Sequence, residues 1–293
     1  MITELDHGRS YQTQINFFKL KIYRNMNPIF NLFKKRELLW QFLVRNIKSR
    51  HRGSILGALW LIMNPLLMLS LYVFAFGVVF GGRFTDSPSE STLDYALGVF
   101  LGLSVLSLVS GVIGSAPGII VAQPNFVKKV VFPLEILPAA TVGALTYDML
   151  IGFGLCILGI ISFGNGIDIS ALFGIVIVIP AFLIALGLSW FLSALGVFIR
   201  DLSQLASFLG LALLYASGVF YSASKAQSTA PVIWEFLKWN PLLQIIDSLR
   251  QVLLWGGEPD WIMIAYCWLF GLGCLFCCAW FFNRLRPSFA DVI

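Results

Sequence analysis

Residues 169–199 read ISALFGIVIVIPAFLIALGLSWFLSALGVFI and contain no charged side chain. A helix needs about 20 mainly apolar residues to cross the hydrocarbon core of a bilayer. Asp168 precedes this run and Arg200 follows it, so charge borders the run without entering it. The stretch therefore predicts a transmembrane helix and makes lipid the reference solvent for the rest of the chain.

The composition of the whole chain agrees with this. Of 293 residues, 58% are hydrophobic and 12% are charged, whereas soluble domains carry about 25% charged residues. A soluble globule is excluded, because it could not bury so much apolar surface. The apolar runs predict an all-α membrane protein with six transmembrane helices, at about 55–81, 95–121, 137–163, 171–198, 203–223 and 261–283.

The distribution of basic residues predicts the orientation. Lys and Arg concentrate on the cytoplasmic side of membrane proteins. With the N-terminus inside, sixteen of the 20 basic residues lie in inner segments and four in outer ones. We therefore expect a cytoplasmic arm over 1–54, a transmembrane domain over 55–283 and a cytoplasmic tail over 284–293.

The cytoplasmic arm holds eleven basic and three acidic residues. Polar residues recur at helical spacing on one side of its second half, at Glu37, Gln41, Arg45, Lys48 and Arg52. Apolar residues lie toward the other side, at Leu39, Phe42, Leu43 and Ile47. This pattern predicts an amphipathic helix in the inner interface, with its apolar face in lipid and its basic face toward headgroups or a partner. A merely solvated basic arm is the alternative, and nucleic acid is not expected as a partner.

A second unusual segment separates the fifth and sixth runs. Residues 226–259 are too charged to span, and Pro231 and Pro241 each stand where a short helix can begin. Four tryptophans prefer the membrane interface here: Trp234, Trp239, Trp255 and Trp261. We expect two short re-entrant outer helices within about 231–255.

Catalytic chemistry is sparse in this sequence. Asp148 is the one carboxylate inside the predicted spans, and the only histidines, His7 and His51, lie in the arm. The five cysteines lie in apolar runs, so we expect neither a metal site nor catalytic residues. No GxxxxGK[ST] phosphate-binding loop occurs, so ATP would have to be used by a partner. A membrane-embedded lipid- or glycan-modifying enzyme remains an alternative, with Asp148 or the outer acids as its catalytic groups. A proton-coupled carrier is another, with Asp148 as part of a proton path.

Three segments resemble a known family. They are RNIKSRHRGSILGALWLIMNP at 45–65, FIRD at 198–201 and WNPLLQIIDSLRQVLLWGGEPDW at 239–261. In order and spacing they resemble the membrane subunits of bacterial ABC exporters of polysaccharides, which include the O-antigen, capsule and teichoic acid permeases. One difference is that this chain has Ser217-Gly218 before Phe220 and Tyr221, where the family often has Ser-Pro.

The resemblance implies a multi-pass protein of the bacterial inner (plasma) membrane with both termini cytoplasmic. It implies a homodimer that encloses a channel for a lipid-linked polysaccharide, within a membrane whose lipids also contact the arm. Two copies of a separate ABC ATPase would carry ATP and Mg, so this chain itself would hold no cofactor. A permease for a drug or small solute is the alternative.

The resemblance also assigns roles to residues. The loop 123–134 with Lys128 and Lys129, together with Glu37 in the arm, would dock the ATPase. The re-entrant pair would form an outer gate with Trp234, Trp239, Asp247 and Arg250.

Two further sets of residues suit the substrate. Aromatic rings can stack on sugar faces, and the candidates for channel lining are Tyr72, Phe76, Phe80, Phe208, Tyr215, Phe220 and Tyr221. Packing between helices or contact with lipid would explain these rings as well. Arginines suit phosphate binding, so Arg45, Arg50 and Arg52 are candidates for the lipid pyrophosphate at the inner mouth. Contact with lipid headgroups is their alternative role.

Overall fold

The computed structural model describes residues 28–50, 57–79, 81–84, 91–128, 132–163 and 168–293. Within these ranges every regular element is a helix and no strand occurs, which confirms the all-α prediction. Phe80, Arg52 and Lys129 lie outside the described residues, as do the side chain of Arg50 and the arm before residue 28.

The described part of the first half of the chain contains six helices. These are α1 (Pro28–Lys34), α2 (Arg36–Arg50), α3 (Trp60–Tyr72, which continues as a π-helix over Val73–Val79), α4 (Thr92–Ile119), α5 (Pro124–Lys128) and α6 (Ile136–Phe163). The second half forms α7 (Phe173–Phe198), α8 (Leu202–Ala216), α9 (Ala223–Thr229), α10 (Pro231–Leu237), α11 (Pro241–Leu254), α12 (Trp261–Leu285) and α13 (Phe289–Val292). Short 3-10 turns occupy Gly57–Leu59, Ile169–Leu172 and Arg286–Ser288.

Five helical segments of the described chain are long and apolar enough to cross a membrane. They are Ile62–Val79, Thr92–Ile119, Ile136–Ser162, Ile169–Phe198 and Trp261–Val292, so the chain is a multi-pass membrane protein. The helix predicted at about 203–223 is α8, which has 15 residues. At 1.5 Å per residue it covers about 22 Å, less than the hydrocarbon core of about 30 Å. The count of six spans therefore stays a prediction.

Polar caps in the sequence set where the outer-side helices begin. Ser91 and Asp94 form a reciprocal capping box at the start of α4. Asp260 Oδ1 accepts the backbone N–H groups of Ile262 and Met263 at the start of α12. Asn240 caps α11, whose first residue is Pro241. The two short helices predicted between Pro231 and Trp255 are thus present, and α9 is an additional one that the sequence did not predict.

The core is built around α4. This helix packs against α6, α7, α8 and α11, and 78% of its most apolar stretch is buried, against 0% for Ile62–Val79. It continues through Pro117 to Ile119. A Cβ at Gly196 in α7 would lie 2.1 Å from the Pro117 carbonyl oxygen. Only glycine allows α7 to approach α4 this closely.

The arm helix α2 packs against protein on its apolar side. It packs on α6, where Leu43 fills the space beside Gly143 and a Cβ at that glycine would be 2.5 Å from Leu43 Cδ1. Asn46 Nδ2 donates to Thr141 Oγ1 at 3.4 Å. The missing side chain at Gly143 therefore opens a protein surface for part of this face. Its predicted contact with lipid stays a prediction. The aromatic side chain that α2 leaves outside is Trp40, which is 65% exposed.

Candidate functional site

A buried arginine joins α11 to the rest of the fold. Arg250 on α11 is 0% exposed. Its Nε donates to the carbonyl of Gly98 at 3.1 Å, and its Nη2 donates to that of Val219 at 2.5 Å. Its Nη1 donates to the carbonyls of Gly218 at 2.7 Å and Tyr221 at 3.2 Å. One guanidinium thus holds α11, α4 and the segment after α8 in one arrangement.

Two glycines of α4 make room for this junction. A Cβ at Gly102 would lie 3.0 Å from Arg250 Nη2, and one at Gly98 would lie 2.5 Å from the Phe84 ring. The Arg250 guanidinium lies over that ring, with its Cζ 4.0 Å from the centroid. Because the cation is buried, this contact adds to its hydrogen bonds. The spacing of Gly98 and Gly102 is the one sequence signal for this junction.

The chain departs from the Ser-Pro pattern at a position where proline cannot stand. Gly218 has φ +67, whereas proline fixes φ near −65°. This backbone directs the carbonyls of Gly218 and Val219 toward Arg250. A proline at position 218 could therefore not form the turn that follows α8 in this chain.

The four residues predicted for the outer gate lie in two places. Asp247 lies on α11, as Arg250 does, and its Oδ1 accepts the backbone N–H of Ala223 at 3.2 Å. Burial raises the pKa of the Asp247 carboxyl, while this hydrogen bond and Arg250 act in the opposite direction. Trp239 is 62% exposed, and its carbonyl accepts the Tyr266 hydroxyl at 2.7 Å. Trp234 lies on α10, so the two tryptophans are on the periphery and the two charged residues are in the junction.

Most of the predicted channel aromatics meet around Phe220. The aromatic cluster consists of Tyr72 and Phe76 from the first span and Tyr215 and Phe220 from α8 and the turn after it. The Phe220 centroid is 4.3 Å from that of Phe76, 5.4 Å from that of Tyr72 and 6.4 Å from that of Tyr215.

The other two described candidates differ from each other. The Tyr221 hydroxyl donates to the Tyr215 carbonyl at 2.7 Å, which ties Tyr221 to the aromatic cluster. Phe208 is 68% exposed and makes no ring contact with the cluster among the described residues. Flat ring faces beside phenolic hydroxyls suit a ligand that is apolar on one side and polar at its edges.

Helices α2 and α5 contact each other through aromatic rings. The Phe126 ring of α5 lies 5.7 Å from that of Phe42 in α2 and 4.5 Å from that of Phe132. Arg45, which is exposed, lies over Phe42 with its Cζ 4.2 Å from the ring centroid. Glu37 and Lys128 are also exposed on these two helices. The structure therefore places Glu37 and Lys128, two of the residues predicted to dock the ATPase, on the same two helices as Arg45, which is predicted for the inner mouth.

A buried carboxylate near α5 was missed by sequence reasoning. Glu135 is 0% exposed and lies just before α6. Its Oε2 is 3.0 Å from Nη1 of Arg286, beyond the end of α12. Nothing in the sequence pairs these residues, and the only hint was that each charge borders an apolar run.

Asp148 is half-buried on α6. The hydroxyls of Thr146 and Thr141, which the sequence places near it, donate to the carbonyls of Val142 at 2.9 Å and Leu137 at 3.2 Å. Both hydroxyls are thus used by the backbone of their own helix.

Within the described ranges, no group of three His, Cys, Asp or Glu residues is placed to hold a metal.

Comparison with known proteins agrees with this arrangement. The O-antigen export system permease protein RfbA of Myxococcus xanthus is 27% identical over 229 residues, 78% of this chain and 85% of that protein. A protein of the same name from Klebsiella pneumoniae is 25% identical over 275 residues, 94% of this chain and 99% of its own length. A further one from that organism is 24% identical over 265 residues, 90% of this chain and 98% of that protein. Residues 37–254, from the exposed Glu37 on α2 to the end of α11, match the ABC-2 type transporter family. The chain therefore belongs to the ABC-2 type transporter family.

Proposed function

We propose that the chain is the transmembrane subunit of an ATP-driven exporter. It moves a lipid-linked polysaccharide from the cytoplasmic side across a bacterial inner membrane. The observation that carries this is the match to an O-antigen export system permease over 94% of this chain and 99% of that protein. Such end-to-end similarity covers the arm helix, the spans and the re-entrant pair together.

The energy source is a separate ABC ATPase, because the sequence has no GxxxxGK[ST] loop for phosphate binding. ATP and Mg are held by that partner, in two copies per transporter. It docks on the cytoplasmic surface formed by α2 and α5, near Glu37, Lys128 and Lys129. The contact between Phe42 and Phe126 supports this, because it makes the two helices one surface.

The channel forms between two copies of this chain. The stretch Ile62–Val79 is 0% buried within one copy, and α8 buries only Ala206. Both helices carry rings of the aromatic cluster, so a second copy facing them encloses a pathway lined by aromatic faces. Sugars pass by stacking on such faces and by hydrogen bonds to the tyrosine hydroxyls.

The substrate enters at the inner mouth. Arg45 is exposed on α2, and an arginine can donate two parallel hydrogen bonds to the oxygens of one phosphate. Arg45, Arg50 and Arg52 receive the lipid pyrophosphate from the cytoplasmic leaflet. This orientation places both termini in the cytoplasm. A drug or small-solute permease is not favoured, because all three relatives carry the name of O-antigen export permeases.

The test is co-purification followed by export. Tagged chain purified from its own cells is expected to carry an ABC ATPase, and proteoliposomes of the complex are expected to translocate a lipid-linked glycan only with ATP. The chain alone is expected to show no ATPase activity. Transport by the chain alone, driven by a proton gradient without ATP, would establish the carrier alternative instead.

A further inference from the structure

A buried polar cluster lies on the cytoplasmic side of the core. The Glu135 cluster consists of Asn31, Glu135, Trp190 and Arg286. Asn31 Nδ2 donates to Glu135 Oε1 at 2.5 Å, Arg286 Nη1 is 3.0 Å from Oε2, and Trp190 Nε1 donates to the Glu135 carbonyl oxygen at 3.1 Å. These residues belong to α1, the approach to α6, the middle of α7 and the turn after α12.

Stability alone does not explain this cluster. Removing two charges from water costs free energy that their attraction does not always recover, and an apolar pair of similar volume is often as stable or more stable. A buried ion pair does, however, fix one geometry, because the planar guanidinium donates hydrogen bonds to a carboxylate in few orientations. Glu135 and Asn31 are each 0% exposed and Arg286 is 7% exposed. The cluster therefore serves to specify how its four elements are arranged.

The docking helix α5 contacts the two segments that adjoin Glu135 and Arg286. On one side, Phe132 and Leu134 are buried just before Glu135, and the Phe132 ring contacts Phe126 of α5 at 4.5 Å. On the other side, the turn that contains Arg286 leads into α13, and α13 contacts α5.

Helix α13 is itself fixed to the membrane core. Its Phe289 is 0% exposed and lies 5.6 Å from Phe282 of α12 and 6.1 Å from Phe198 of α7, measured between ring centroids. Both neighbours of α5 are therefore attached to long helices, and the Glu135–Arg286 pair joins the two attachments.

We propose that Glu135 and Arg286 are positioning residues for energy transfer from the ATPase. They hold α5 against Phe132, just before α6, and against α13, so that a movement of the docked partner moves the long helices attached to these segments and is not absorbed by the loop. This inference rests on the proposed function, because it requires an ATPase at α5. It adds to that function two residues that contact neither nucleotide nor glycan.

The experiment measures glycan exported per ATP hydrolysed by the reconstituted complex of this chain with the ATPase that co-purifies with it. Single variants Glu135→Gln and Arg286→Met are compared with the double variant Glu135→Leu/Arg286→Met. The singles are expected to lower both the melting midpoint and the export ratio. The double is expected to regain the melting midpoint, but its export ratio stays lower by about tenfold, within the range typical of coupling between sites.

Two further variants keep the test decisive. Arg286→Lys keeps the positive charge but lacks the planar guanidinium. It replaces the double variant in the comparison if the double variant does not fold, and it too is expected to lower the export ratio. Leu101→Ala is the control, because Leu101 is buried in α4 away from the cluster. It is expected to lower the melting midpoint and to leave the export ratio unchanged.

The outcomes separate the two proposals. If no ATPase accompanies the wild-type chain, the proposed function is wrong. If the ATPase binds and the folded double variant, or Arg286→Lys, exports as much glycan per ATP as wild type, only the positioning role is wrong. An export ratio that falls equally in Leu101→Ala also contradicts the positioning role, because general destabilisation would then explain it.

Discussion

The Arg250 guanidinium lies over the ring of Phe84, with its Cζ 4.0 Å from the ring centroid. Phe84 precedes α4 and Arg250 lies on α11, so this contact joins segments that are far apart in the chain. Both side chains are fully buried. The junction that they form fixes α11 against α4 and the turn after α8.

Replacing Arg250 by leucine should destabilise the protein strongly. The carbonyls of Gly98, Gly218 and Val219 would lose their donor, and a buried polar group left unpaired costs about 1–3 kcal/mol. We expect a loss of at least about 3 kcal/mol on that basis, seen as a lower melting midpoint in detergent. Arg250→Lys should lose less, because it keeps the charge. A melting midpoint of Arg250→Leu equal to that of wild type would contradict the role of the junction.

Substitutions at Gly218, including the proline that the resembled family often has there, should destabilise the turn. Gly218→Ala should cost about 1–2 kcal/mol for the left-handed backbone, and Leu243 Cγ would lie only 3.1 Å from the new Cβ. Gly218→Pro should cost more, because its φ cannot reach +67. Melting midpoints measure both losses.

The matched control for Gly218 is Gly114→Ala in the exposed part of α4. A Cβ at Gly114 has no atom within 4 Å, and alanine is favoured over glycine in a helix by roughly 0.5–1 kcal/mol. Its melting midpoint should stay the same or rise. A Gly218→Pro variant as stable as wild type would show that this turn is not fixed by its backbone.

Charge reversal on the docking helix should separate ATPase binding from folding. Lys128→Glu with Lys129→Glu is expected to reduce co-purification of the ATPase and stop export, because Lys128 is exposed on α5 beside α2. The melting midpoint should not change. Lys225→Glu, an exposed lysine of α9, is the control and should retain the ATPase. Equal ATPase binding by both variants would place the docking surface elsewhere.

Removing the central ring of the aromatic cluster should slow export without affecting ATPase binding. Phe220→Ala loses its stacking on Phe76, and aromatic contacts are worth about 0.5–1.5 kcal/mol each. A loss of that size corresponds to a fall in the export rate of about two- to tenfold. Phe208→Ala is the comparison, since Phe208 is exposed and apart from the cluster. A larger effect at Phe208 would show that the pathway follows the outer face of α8 instead.

Asp148 distinguishes the exporter from an enzyme or a proton carrier. Asp148→Asn keeps the shape of the side chain and removes the ionisable group. For the exporter we expect a partial loss of export, whereas a catalytic or proton-carrying carboxylate would lose activity completely. Glycan export by the variant in proteoliposomes measures this. Complete loss of export with the ATPase still bound and active would favour one of the two alternatives.

Much of the architecture could be predicted from the sequence, because lipid imposes length and charge rules on each segment separately. The long apolar runs, the polar break after the second span and the two prolines that begin α10 and α11 are all local signals. Four of the predicted channel aromatics lie on or beside two predicted spans. The sequence placed them on those spans, and the structure shows that they meet. The span count was harder, since α8 ends at Ala216, before the run of apolar residues does.

The sequence by itself determined that the chain lies in a membrane and where most of its long helices run, and it named candidate residues for docking and for stacking. Only the tertiary structure decided which charges are buried and with what partner. Glu135 meets Asn31 across 104 positions, and Arg250 reaches Gly98 across 152. It also decided that the apolar face of α2 contacts α6. The physical reason is that burial and pairing depend on distances between helices, which hydrophobic periodicity along one helix does not contain.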